Sequence, residues 1–526
     1  MGKCVGIDLG TTYSAISYVD EKGNAVMIHN EQGHNTTPSV VLFGEEKPCI
    51  GSVAKKKSIK DPQNYEAFAK RHMGEKTYVF TSKNGEKYKA EEISAYILKK
   101  LKMEGEKYMG CSIDGAVITV PAYFGDPQRR ATIDAATMAG IEVLDIINEP
   151  TAAAIAFGVN KNVEEMQRVM VYDFGGGTFD VSILEIDNSN IKVIATNGDH
   201  KLGGYDVDVA LYEYVKQVVR ENGVDVDSDV KASHNLMLQI EEAKKELSYV
   251  NSTEVSFYVK GEDVSVKIDR EMFEDLIESI VYTTISVMQK TIDEADLNYE
   301  DIDKILLVGG STRIPFVRSI IEEETGIKPS FEVHPDEAVA MGAAYHAVEM
   351  AKSKLMNNND SNLKNDDVYV GDTVDIPELS KNYKFKDITS HGIGIVVYDS
   401  ELNVDANSVI LDKNTELPAE VIQDGYSTSE PYQEEIELQV TQGEHTNLDY
   451  VTIIGSAVLK VRPRDYNVPI RIVVSCDSGA IIHVRAFDMD ENVDLGEVTI
   501  NRDKHNMTEE EIKIATKRIN KLNIGD

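Results

Sequence analysis

The chain has 526 residues, 42% of them hydrophobic, and a formal net charge of −36. Its length suits about three or four domains of roughly 150 residues each, and no run approaches the roughly 18 apolar residues a membrane span needs. So acidic a surface argues against a nucleic-acid or anionic-membrane binder, and the scattered Cys4, Cys49, Cys111 and Cys476 read as reduced thiols, neither a disulfide framework nor a zinc site.

The N-terminal "MGKCVGIDLG" enters a strand pattern with no signal peptide before it. Gly2 lacks the downstream Ser or Thr that a myristoylation signal requires; the absent leader favours a cytoplasmic protein, and a monomer is expected. Residues 1–350 then alternate strand-like and helix-like segments, the pattern of an α/β fold. The strands are "KCVGIDLG", "GAVITVPA", "VMVYDFGG" and "KILLVGG"; the helices are 127–139, 204–221, 231–249, 270–293 and 337–350. From Ala351 the polar, Asn-rich "AKSKLMNNNDSNLKNDDVYVGD" reads as a linker, 351–386. Residues 387–503 take up a period of two: "EEIELQVTQ" sets Ile436, Leu438 and Val440 on one face, and "IRIVVSCDSGAIIHVRAFD" is two strands about an Asp477-Ser478-Gly479 turn. This is an antiparallel β domain. Residues 504–526 hold one amphipathic helix with a capping box of Thr508 and Glu511.

The chemistry starts from "VYDFGGGTFDVSI". Three glycines interrupt an apolar strand, with Asp173 before and Asp180 after. Glycines let backbone N–H groups approach an anion, and aspartates hold a divalent cation, usually through water, that bridges to phosphate. Alone, this stretch suits a Mg-nucleotide site and a tight structural hairpin equally. "GIDLGTTYSAISY" repeats the grammar with Asp8, Gly10, Thr11 and Thr12, and "LLVGGSTRIP" adds a third glycine turn after an apolar strand. Glu241, Lys244, Lys245 and Ser248 share one helix face at i, i+3, i+4 and i+7. That face could hydrogen-bond an adenosine, although by itself it reads more simply as a solvated, salt-bridged stripe.

With these motifs in order, the sequence resembles the heat-shock protein 70 chaperones of the DnaK type. "GIDLGTTYS", "TTPSVV", "DPQNY", "VITVPAYF", "QRRAT", "INEPTAAA", "DFGGGTFDVS", "GGYD", "EEAKKELS" and "VGGSTRIP" follow the family's sequence of motifs from residue 3 to 347. The resemblance implies a two-lobed, actin-like (ribonuclease H-like) ATPase domain at 1–350 and a β-sandwich peptide-binding domain at 387–503. Residues 504–526 would be a remnant helical lid. It implies phosphate loops at Gly10, Thr11, Thr12 and Tyr13 and at Gly175, Gly176, Gly177 and Thr178, with Gly203 and Gly204 in the "GGYD" motif. Lys70 would be the catalytic lysine, working with Glu149, Asp173 and Thr178. Asp8, Glu149 and Asp173 would hold hydrated Mg²⁺, and Asp8 and Asp180 would face K⁺. Glu241, Lys244, Lys245 and Ser248 would hold the adenosine of ATP or ADP, opposite Gly309, Gly310, Ser311 and Arg313, with Asp336 closing the base pocket. Pro121 and Arg129 would relay nucleotide state to a peptide groove near Ile395, Tyr398, Tyr426, Ser429 and Ile436. Implied partners are extended hydrophobic polypeptides, a J-domain co-chaperone and a nucleotide exchange factor.

The sequence departs from the family in four places. No hydrophobic leucine run precedes "KDIT", where Val368, Val370, Val374 and Ile376 could substitute. Asp145 stands where an arginine is usual, which reverses the charge offered to a J-domain partner. The lid is short, and the stretch after Ser248 is shortened. The expectation is a divergent ATP-dependent chaperone; the alternative is a nucleotide-regulated binding protein with weak or uncoupled ATPase activity. An actin-like filament or a small-molecule kinase is argued against by the β domain.

Overall fold

The computed structural model describes residues 2–44, 47–160, 165–187, 190–360, 377–379, 383–399, 403–498 and 507–520. Two sheets with the same strand order form the N-terminal α/β region. The first contains β1 (Lys3–Asp8), β2 (Tyr13–Val19), β3 (Ala25–Met27), β4 (Thr36–Pro38), β5 (Ile113–Val120) and β6 (Val143–Asn148), ordered β3-β2-β1-β5-β6, with β4 also on β2. The second contains β7 (Gln167–Phe174), β8 (Phe179–Ile186), β9 (Asn190–Asp199) and β10 (Lys304–Val308), ordered β9-β8-β7-β10. In each, the first two strands form an antiparallel hairpin and the next strand in the order joins in parallel. A parallel bridge from Leu306 to Ser330 stands where the second sheet would carry its fifth strand. The buried strands read as continuous apolar runs because helices cover both faces.

Between the sheets cross two helices of small residues, Glu149–Asn160 and Ala338–Asp360. Ala152, Ala153, Ala154 and Ala156 of one share a buried core with Ala343, Ala344 and Ala347 of the other. The approach is close: a Cβ on Gly342 would lie 1.7 Å from the Ala152 carbonyl oxygen. Each sheet also carries an outer subdomain. Ala90–Met109 and Asp126–Met138 flank the first; Gly204–Glu221, Val230–Leu247 and Arg270–Glu294 stack beside the second.

The segment read as linker is partly built into the N-terminal α/β region. The helix expected over 337–350 runs on to Asp360; Ala351 keeps its place in the apolar core, so helical packing overrides the polar composition. Further on, β11 (Lys384–Lys386) pairs in parallel with β9 at the edge of the second sheet. Leu379, Tyr383 and Ile388 are buried in the interlobe core, with Phe385 packed against it. These residues dock the segment. Val368, Val370, Val374 and Ile376 lie outside the described residues.

The β domain comprises two four-stranded antiparallel sheets. One is β12 (Ile393–Asp399), β13 (Val404–Leu411), β15 (Glu435–Gln442) and β16 (Thr452–Lys460), ordered β13-β12-β15-β16; the other is β14 (Ala419–Ser427), β17 (Pro469–Cys476), β18 (Ile482–Asp488) and β19 (Val493–Val498), ordered β14-β17-β18-β19. Their inner faces share one apolar core. The turn between β17 and β18 takes its left-handed residue at Ala480 (φ 59°), one place after the expected glycine. Gly479 instead contacts Arg129 and Asp145 of the N-terminal region.

The β domain rests on that region through buried polar contacts. Arg129 donates to the Gly479 carbonyl (3.5 Å) and Asn148 Oδ1 (2.5 Å), and Asn148 donates to Asp387 (3.0 Å). Ile482 N–H donates to Asp126 (3.2 Å), and Lys413 pairs with Glu294 (2.8 Å). The C-terminal helix, Glu509–Asn520, packs Ala515 and Ile519 into the core of the first lobe. Lys89–Glu511 (2.9 Å) and Arg518–Glu92 (3.2 Å) pin its two ends. Its capping box is present: Glu511 accepts from Thr508 N–H at 2.7 Å, and Thr508 Oγ1 accepts from Glu511 N–H at 3.3 Å.

Candidate functional site

The β1–β2 and β7–β8 hairpins meet tip to tip at the floor of a cavity of about 470 Å³. Their glycines are required by that meeting. A Cβ on Gly176 would lie 1.8 Å from Thr12 Oγ1, and one on Gly177 would lie 2.4 Å from Thr11 Cγ2. Gly203 and Gly204 pack behind the second turn, where Gly204 N–H donates to the Gly175 carbonyl (2.9 Å). Ser311 donates to the same oxygen (2.8 Å), which ties the third glycine turn to the second.

Below the turns lies an acid cluster with one lysine. Lys70 is buried and paired with Glu149. Asp8 and Asp173 share the cavity wall with them, and Asp180 lies just behind, accepting from Tyr123 N–H (3.1 Å). Burial pushes the Asp8 carboxyl up to about 7, with Glu149 adding repulsion and Lys70 opposing. Asp180 is pushed up to about 8, first by burial and then by Glu149. Asp173 is likewise held well above the carboxylate range by burial, then by Glu149, Asp180 and Asp8. Four carboxylates against one ammonium leave the cluster short of positive charge. Among the described residues, no three His, Cys, Asp or Glu side chains come close enough to ligate an ion directly. The cluster therefore fits a hydrated cation held at one remove, not a closed protein cage.

At the other end stands the helix Val230–Leu247, capped by Asp229. Glu241, Lys244, Lys245 and Ser248 all line the cavity, as their shared face predicts. They form an ordered network. Burial alone would raise the Glu241 carboxyl, but Lys55 (2.5 Å) and Lys245 (2.8 Å) hold it down at about 2. Lys244 bridges Asp208 (2.8 Å) and the Gly204 carbonyl (2.9 Å). Opposite, Gly309, Gly310, Ser311 and Arg313 line the wall, and Arg313 donates to Asp336 (2.6 Å). Lys55, Asp208 and Tyr249 are site residues with no sequence signal: Lys55 sits in an ordinary lysine run, and its partner lies far along the chain.

Gly10, Thr11, Thr12, Tyr13, Gly175, Gly176 and Thr178 are thus brought together with Asp8, Lys70, Glu149 and Asp173. Gly177, Asp180, Gly203 and Gly204 stand immediately behind. Pro121 and Arg129 lie at the domain contact. The segment after Pro121 touches Asp180 through Tyr123 N–H on one side; on the other, the Ala122 carbonyl accepts from Ser390 and the Tyr123 carbonyl from His391 (3.2 Å).

Of the five expected groove residues, Ile395, Tyr426 and Ile436 belong to one apolar cluster of the sandwich. Ile395 is buried in the sandwich core, because it points inward between the sheets. Tyr398 is exposed and donates to Asn403 (2.6 Å), Tyr426 shares a hydrogen bond with Ser408 (2.9 Å), Ser429 donates to Gln433 (3.0 Å), and Ile436 packs on the core edge. Asp145 Oδ2 pairs with buried His346 at 2.9 Å. No helix among the described residues is long and apolar enough to cross a membrane.

The family model described as Hsp70 protein matches residues 4–526 of this chain. That match covers both sheets of the cleft, the β domain and the C-terminal helix, and the chain belongs to the Hsp70 protein family.

Proposed function

We propose that this chain is an ATP-hydrolysing chaperone whose nucleotide state sets its affinity for extended hydrophobic peptides. Membership of the Hsp70 family supports a chaperone with ATP-dependent function in general. The observation that carries the finer reading is the pairing of the two glycine turns above the Lys70–Glu149 pair, at the floor of one cavity. In this reading the triphosphate of ATP lies between the turns. The Lys70 ammonium faces the charge that develops as water attacks the terminal phosphorus and displaces ADP, while Glu149 and Thr178 orient that water. Phosphoryl transfer asks for little more than such positioning and charge neutralisation. Asp8, Glu149 and Asp173 would hold Mg²⁺, and Asp8 and Asp180 would face K⁺; such ions would supply the positive charge that Lys70 alone does not.

Glu241, Lys244, Lys245 and Ser248 hold the ribose, and Arg313 and Asp336 border the base. The residues after Pro121, together with Arg129, carry the state of the cleft to the β domain, since they contact both. A ligand shifts such an equilibrium only by binding its two states differently. The test follows the anisotropy of a fluorescent peptide of leucine-rich centre with ADP, with ATP, and with ATP on Lys70→Ala. Binding in ADP that ATP weakens is expected. Binding indifferent to nucleotide would reduce the molecule to two uncoupled modules, and no binding would remove the peptide assignment.

A further inference from the structure

We propose that Tyr249 is a base-stacking residue of this cleft, its phenol ring laid against the purine of the bound nucleotide. The inference rests on the nucleotide reading above and assigns a further binding residue within it.

Tyr249 continues the turn that ends Val230–Leu247: its N–H donates to the Glu246 carbonyl at 2.8 Å. It lines the cavity directly after Ser248, and 74% of it is exposed. The adenosine end of the cavity is otherwise furnished by Glu241, Lys244, Lys245 and Ser248. These are point hydrogen-bonding groups, suited to ribose hydroxyls and offering no plane to a heteroaromatic ring. Tyr13 has a ring, but the ammonium groups of Lys55 and Lys245 already stand over it at 6.0 and 5.4 Å. The flat groups left at this end are the Arg313 guanidinium and the Tyr249 phenol.

These two are coupled. Burial pulls the Arg313 charge down, but the hydrogen bond and charge of Asp336, followed by those of Tyr249, hold it above its ordinary value. A planar cation and an aromatic ring therefore border one opening, held in relation to each other. Stacking on an aromatic side chain depends on the π-face and not on a pattern of donors. The ring should accordingly hold a purine tightly while discriminating little between adenine and other purines.

The experiment measures binding of ADP and of Mg-tripolyphosphate, which has no base, to the full chain and three variants. For Tyr249→Ala, ADP affinity should fall about 5- to 100-fold, while Tyr249→Phe should stay within about twofold of the parent. Tripolyphosphate affinity should not move in either. The chain contains no tryptophan, so Tyr249→Trp introduces a single indole that ADP should quench and tripolyphosphate should not. If the parent binds both probes and Tyr249→Ala binds ADP unchanged, the stacking role is overturned. Equal losses in Tyr249→Ala and Tyr249→Phe would assign the effect to the hydroxyl and its Arg313 contact, which also overturns it. A parent chain that binds tripolyphosphate but not ADP, or neither, would instead strike at the nucleotide reading itself.

Discussion

Lys70 faces Asp8, Glu149, Asp173 and Asp180, of which the last three are buried and Asp8 partly so. Removing it should have two separable effects. In Lys70→Ala, single-turnover hydrolysis should fall about 100-fold or more, the scale for losing one preorganised charge beside a transition state. ADP binding should survive, because the glycine turns and the adenosine network are untouched. The nucleotide-free variant should also melt earlier than its parent and recover more of the difference on adding MgADP, since an unpaired buried carboxylate destabilises the fold. Hydrolysis at the parental rate would remove Lys70 from the chemistry. At this scale the motif residues were legible, because small residues beside acids are needed wherever two backbones close on a phosphate. Lys55, Asp208 and Tyr249 were not: the first two act through partners that only folding brings near, and nothing in the sequence around Tyr249 marks it as lining the cavity.

At the scale of elements, the alternating apolar runs reported the strands of both sheets, and the period-two stretches reported the sandwich. The boundary near residue 350 was misread for a definite reason. An Asn-rich composition is poor in core residues, yet a helix needs only one packed face, and Ala347, Val348 and Ala351 provide it. Docking of the later segment falls to Leu379, Tyr383 and Phe385, spaced too widely to resemble a strand on their own. The crossing of Glu149–Asn160 and Ala338–Asp360 is the tightest joint between the lobes. Gly342→Ala must push the Ala152 carbonyl aside and should cost about 1–3 kcal/mol, the usual range for overpacking. Chemical denaturation with and without ADP would measure it, and an unchanged midpoint would mean that the joint has slack.

At the scale of the whole molecule, the β domain and the N-terminal α/β region meet around one histidine. His391 sits against Tyr123, with ring centroids 4.2 Å apart, and its Nε2 lies 3.2 Å from the Tyr123 carbonyl. Burial pushes the imidazole from 6.5 down to about 4; the Tyr123 carbonyl and Glu444 pull it back up, while Lys413 and Arg129 add to the fall. Docked, His391 is therefore neutral throughout the range in which a solvent-exposed imidazole takes a proton. Between pH 6.5 and about 4 the separated state binds a proton that the docked state does not, so docking is fully present above this window and weakens as pH falls through it. The loss approaches tenfold in the docking equilibrium per pH unit. Asp387, pushed up to about 6 by burial at the same contact, works in the opposite sense, because its protonation favours the docked state. The informative quantity is thus the difference between the parent and His391→Leu, in which the imidazole is gone and Asp387 remains. X-ray scattering from pH 7.5 to 5 should show the parent expanding more than the variant as the pH falls. If the two curves run parallel, His391 is a bystander, and the domains are held by the other contacts, those of Arg129, Asp126 and Lys413 among them.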